Sequence, residues 1–170
     1  MIDSTEPDWS REHIKVGEWN PGKRLLGCVR DYQRYKEKKP PLHRLRVAWA
    51  VLRHRFWSSV SGADIPLNCR IGGGLLLPHP NGVVIHPDAL VGPNCLIFQQ
   101  VTLGTLDSGG APVVGGHVDI GAGAKLLGRI AIGDHAKIGA NAVVLKDVPA
   151  WAVAVGVPAH CLPGNRDDLS

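Results

Sequence analysis

A six-residue repeat runs from residue 64 to about residue 159, and it leaves this chain few folds to choose from. An aliphatic side chain recurs at Ile65 and Ile71, then at Ile85, Val91, Ile97 and Leu103. It returns at Val114, Ile120, Leu126, Ile132, Ile138 and Val144. Four places after members of this series stands a small or apolar residue: Cys69, Ala89, Cys95, Val101, Val118, Ala124, Ile130, Ala136, Ala142 and Val148. A period of six fits neither the 3.6 of a helix nor the alternation of a hairpin strand. It marks a hexapeptide parallel β-helix, in which each six supplies a short strand and a corner and three sides close a coil. One coil cannot bury its own apolar face, so stacking makes the core. A glycine-rich sandwich with chance spacing would not hold the register unbroken from Val114 to Val148. The expected fold is an all-β solenoid.

Length and composition fit one such domain with an N-terminal attachment. We divide the chain of 170 residues into a tail with two helices (1–60), the coil (61–160) and a C-terminal tail (161–170). A 44% hydrophobic and 20% charged composition suits a folded chain. The four cysteines form no CxxC and no zinc spacing. Cys69 and Cys95 occupy the inward small position and read as buried thiols, which favours a reducing, cytoplasmic setting. Residues 1–20 are polar and carry Asp and Glu, unlike a signal peptide, and no apolar run is long enough to span a bilayer. The formal charge of +4 is modest and no nucleic-acid-reading motif accompanies it, so no nucleic acid partner is expected.

Ahead of the coil, residues 1–20 with Trp9 and Trp19 read as loose or docked extended chain. Pro21-Gly22 opens a helix over 23–39, with Leu25, Cys28 and Tyr32 on one face, ending at Pro40-Pro41. A second helix over 42–59 carries an apolar stripe at Leu42, Leu45, Trp49, Leu52 and Phe56, and Arg44, Arg46, Arg53, His54 and Arg55 on the opposite side. The stripe is expected to pack on the first coil with the arginines solvated. The other reading is weak contact of this basic helix with an anionic membrane surface.

Two interruptions of the repeat point to function, because solenoid insertions collect on the binding face. The first holds Pro78-His79-Pro80-Asn81-Gly82, and the second is the excursion over residues 104–113. His79, stiffened by prolines on both sides, is the strongest candidate for a general base. Asp64, 15 residues upstream, is close to one coil away and could sit beneath it as the orienting acceptor. His86, His117, His135 and His160 take corner positions and read as solvated, and no metal site is expected.

With these residues in view, the chain resembles the serine acetyltransferase branch of the hexapeptide acyltransferases, over about residues 44–160. The resemblance rests on Gly62-Ala63-Asp64-Ile65-Pro66, on Ile71-Gly72 followed by His79 and Gly82, and on Gln100-Val101-Thr102-Leu103-Gly104. It continues through Ile120-Gly121-Ala122-Gly123-Ala124-Lys125, Ala136-Lys137-Ile138-Gly139-Ala140 and Ala154-Val155-Gly156-Val157-Pro158-Ala159. It implies a left-handed parallel β-helix, a homotrimer, and acetyl-CoA as co-substrate. The family's catalytic pair falls on His79 and Asp64, and its coenzyme A positions on Gly104, Ala122, Gly123, Lys137 and Ala140. The reaction it implies is direct transfer of acetyl to a hydroxyl, with His79 as base and backbone amides near Gly104 as oxyanion donors.

The departures are as specific. The family places an acidic residue before the catalytic His, where this chain has Pro78. An Arg-His pair in the second break holds the amino acid in that family, and here the loop is shorter and reads Gly110-Ala111-Pro112. An unpaired buried charge is costly, so a sugar or polysaccharide precursor is the expected acceptor, with serine as the alternative. A non-catalytic trimeric scaffold is the third reading, against which the retained Asp64 and His79 argue. The N-terminal helical part is short and the sequence ends Asp168-Leu169-Ser170, so a lone trimer with no cysteine synthase partner is expected.

Overall fold

The computed structural model describes residues 3–38 and 41–164. A 3-10 turn (Trp9–Glu12) leads to α1 (Pro21–Lys38) and α2 (His43–Ser61). The coil then follows as short strands: β1 (Arg70–Ile71), β2 (Val84–Ile85), β3 (Leu90–Val91), β4 (Leu96–Ile97) and β5 (Thr102–Gly104). Next come β6 (Val113–Val114), β7 (Asp119–Ile120), β8 (Lys125–Leu127), β9 (Ala131–Ile132), β10 (Lys137–Ile138) and β11 (Val143–Val144). The chain closes with β12 (Val153–Gly156) and β13 (Ala159–Leu162).

Strands from successive turns pair in parallel into three sheets, ordered β1-β3-β6-β9, β4-β7-β10-β12-β13 and β2-β5-β8-β11. Only β13 breaks the pattern, folding back antiparallel on β12. Register follows the repeat: Ile85 lies over Leu103, Leu103 over Leu126, and Val144 over Leu126 in turn. Every aliphatic of the repeat and every small residue four places on is buried in one continuous core. Such stacking brings backbones together at the corners. A Cβ at Gly72 would fall 2.5 Å from the Pro93 nitrogen of the next coil, so only glycine fits there.

α1 caps the start of the coil, starting at Pro21 as proline prefers. Leu25 and Leu26 join the coil's core, and Cys28 is buried on the same side of the helix. The expected end of this helix at Lys39 and Pro40 lies outside the described residues. Arg30 donates to Ile71 O (2.5 Å) and Gly72 O (2.7 Å) and pairs with Glu12 (2.9 Å). Gln33 Nε2 donates to Leu67 O and Cys69 O, at 3.1 and 2.8 Å. The first residues are docked: Asn94, itself buried, accepts from Asp8 N and donates to the carbonyls of Asp3 and Glu6.

α2 overturns one expectation. Leu42, Leu45, Trp49, Leu52 and Phe56 do not pack on the coil but stand 57–69% exposed. The helix meets its neighbours through another face, where Ala50 is buried, Arg53 pairs with Asp31 (2.9 Å) and His54 Nε2 bonds Ile65 O (2.8 Å). Gly62 in the left-handed region ends it, its amide donating to Ser58 O. Two corner histidines also differ from expectation. His117 and His135 are half-buried and share an Nδ1···Nδ1 hydrogen bond of 2.9 Å, with His135 stacked on Trp151.

Candidate active site

The two breaks in the repeat flank one sheet. The corner that carries His79 leads into β2, and the excursion over 104–113 leaves β5 of the same sheet. Outward-facing positions on that sheet stack as Asp64, Val84, Thr102, Lys125 and Val143. Asp64 therefore lies on the coil before β2, as the spacing predicts. Gly82 N donates to Gly62 O at 2.8 Å, seating the first break on the segment that leads into Asp64. His79 and Asp64 are both exposed, and no hydrogen bond or ion pair joins their side chains. What the fold supplies is a shared edge with both groups open to a ligand.

Above His79 the same corner continues through Gln99 and Gln100 to the small residues Ala122, Gly123 and Ala140. Gln100 N donates to Asn81 O, Gly123 N to Gln99 O and Asn141 N to Ala122 O, which stacks the turns in register. Ala122, Gly123 and Ala140 thus line one edge of the prism with little side chain. Gly123 has a φ of +74°, and a Cβ there would lie 2.1 Å from Asn141 Oδ1. Lys137, on β10, points outward beside Asp119. Gly104 lies across the sheet from this corner, at the mouth of the excursion, and its carbonyl accepts from Gly128 N at 3.0 Å. The predicted coenzyme A positions therefore fall in three places: the column Ala122, Gly123 and Ala140 on the His79 edge, Lys137 on the sheet that leads into that edge, and Gly104 on the far side of the next sheet.

Two residues to which the sequence reading gave no role belong to this surface. Lys125 sits on the sheet face with its ammonium bonded to Gln100 O (2.6 Å) and Thr102 Oγ1 (3.1 Å). Its outward place in the six, between the two breaks, is the signal that could have found it. Arg129 lies one coil beyond the excursion and packs on it; a Cβ at Gly110 would be 3.2 Å from Arg129 Nε. No local pattern reports that contact. A cavity of about 680 Å³ lies elsewhere, between α1 and the β1-β3-β6 sheet, and takes in none of these groups. Among the described residues no three of His, Cys, Asp or Glu gather as a metal cluster would.

No family model matches the chain. The serine acetyltransferase of Helicobacter pylori strain 26695 is 38% identical over 143 residues, covering 75% of this chain and 84% of that relative. The chain belongs to the serine acetyltransferase family. The serine acetyltransferase of Synechococcus elongatus is 39% identical over 157 residues, or 90% of this chain and 62% of that one. Among solved structures, serine acetyltransferase from Brucella abortus matches with a TM-score of 0.73 at 35% identity, over 85% of this chain and 58% of that one. Soybean serine acetyltransferase complexed with serine gives 0.71 at 37% identity, over 84% and 57%. The chain spans less than two thirds of the length of these last three. Its coil is the left-handed parallel β-helix of the serine acetyltransferase family.

Proposed function

We propose that the chain is an acetyl-CoA-dependent O-acetyltransferase whose acceptor is serine. The observation that carries this is the relationship to the Helicobacter serine acetyltransferase over 84% of that protein's length. His79 removes the acceptor's hydroxyl proton as that oxygen attacks the thioester carbonyl; collapse of the tetrahedral adduct expels coenzyme A, whose sulfur takes the proton. Asp64 holds the imidazole and stabilises its protonated form. Coenzyme A lies along the edge of Ala122, Gly123 and Ala140, where the backbone is approachable, with Lys137 opposite phosphate and Gly104 at the reacting end. A solved serine acetyltransferase in complex with CoA, similar to this chain at a TM-score of 0.72 and 35% identity, supports the donor. We place the active unit as a homotrimer, for which a solution mass of three chains is the check.

Serine thus replaces the sugar acceptor that the sequence favoured. That argument rested on a second break without a cation, yet Arg129 lies against Gly110 and brings a guanidinium there. A neutral hydroxyl acceptor remains the second reading, because Pro78 stands where the family has an acid and Asp107 is the only charged residue within 104–113. Thiol release from acetyl-CoA, measured across serine, free sugars and nucleotide sugars, separates the two. Turnover with serine at millimolar levels, and a KM for serine raised about tenfold in Arg129→Gln, is the expected result. Turnover confined to a sugar would overturn the serine assignment.

A further inference from the structure

The apolar stripe of α2 is left uncovered among the described residues. Leu42, Leu45, Trp49, Leu52, Phe56 and Val60 recur at three- and four-residue steps and are 41–69% exposed, while the opposite side of the helix is packed on α1 and the coil. An apolar stripe of this length, on a helix whose other side is already packed, is ordinarily covered as well. Near the C-terminal end of the stripe, Trp57 packs edge-on against Phe56 and Trp19, at 5.0 and 5.5 Å, and Trp19 is itself exposed.

The charge around the stripe has one sign. α2 contains Arg44, Arg46, Arg53 and Arg55 and neither Asp nor Glu. Arg53 is paired with Asp31 and Arg46 lies over the Tyr35 ring, while Arg44 and Arg55 have no carboxylate partner among the described residues. Arg44 also lines a groove of about 400 Å³ with Lys36, His43 and Tyr32, along one flank of the stripe. A second copy pairing its α2 antiparallel would set arginines against arginines with no acid between them. Over the 19 residues from Leu42 to Val60 the stripe is a ridge about 27 Å long, which fits a flat surface better than a groove.

We propose that α2 lies on an anionic lipid surface, with the stripe in the acyl boundary and Arg44, Arg46 and Arg55 at the headgroups. No helix among the described residues is long and apolar enough to cross a membrane, so the contact is in the plane of the interface. The Lys36–Arg44 groove takes a lipid phosphate.

The test uses the full chain with vesicles of phosphatidylcholine alone and vesicles containing a third phosphatidylglycerol. Co-sedimentation with the anionic vesicles only, weakened by salt, is expected. Arg44→Gln, Arg46→Gln and Arg55→Gln should each reduce partitioning roughly fivefold. Leu45→Ser/Leu52→Ser/Phe56→Ser should abolish it while leaving the melting temperature and solution mass unchanged. Absence of binding to anionic vesicles, or equal binding to neutral ones, overturns the proposal. So does a fall in solution mass in the stripe variant, which would show a second copy covering the ridge, or capture of polyglutamate in preference to vesicles.

Discussion

Pro78 and Pro80 leave His79 little backbone freedom, since each proline fixes its own φ and Pro80 keeps the residue before it out of the helical region. The ring is therefore carried on a stiff corner while its exposed edge stays open to a ligand. Under the proposed chemistry, His79→Gln lowers turnover by roughly 10²–10⁴-fold, with an unchanged melting temperature separating lost chemistry from lost fold. His117 makes a different prediction. Burial pushes its imidazole below the usual range; His135, Arg11 and Lys137 push the same way and Asp119 opposes them. The unfolded chain thus binds this proton at a higher pH than the folded chain does. The related stability is complete above a pH of about 6.5 and is lost as pH falls towards the folded value. Thermal midpoints should decline below that pH, and His117→Gln should flatten the decline.

Among the elements, α1 ties the N-terminal segment to the coil. Arg30 reaches both Glu12 and the carbonyls of Ile71 and Gly72, and Glu12 in turn accepts from Gly74 N and Leu75 N. Arg30→Ala should cost about 2 kcal/mol in denaturant unfolding, because it strands a largely buried carboxylate as well as removing charged hydrogen bonds. The strands were legible residue by residue, since a period of six specifies both which side chains point inward and which coil each lies over. The break holding His79, and Asp64 one coil before it, were legible for the same reason. The face by which α2 docks was not. Its stripe states that one side is apolar but not what covers it, and its packed side rests on Ala50, a histidine–carbonyl bond and an ion pair, none of which has a local signature. Arg129 on Gly110 and the strap of residues 3–8 on Asn94 were hidden likewise, being contacts between segments far apart in sequence.

Across the whole molecule, stability in a stack comes from each coil's contact with the coils on either side. Leu126 is fully buried midway, between Leu103 and Val144. Leu126→Ala should therefore cost about 2–5 kcal/mol, read as a lowered denaturant midpoint. A ladder of parallel rungs has no inherent last member, and its final strand presents a bare edge on which another chain could continue. Here β13 reverses direction and occupies that edge along β12 with four pairs, Val153 to Leu162 through Gly156 to Ala159. A further rung arriving at this sheet would meet a strand running the wrong way, while α1 covers the other mouth. On this sheet, therefore, the hairpin leaves no parallel edge for a further coil to extend, whereas β9 and β11 end the other two sheets as the coil built them.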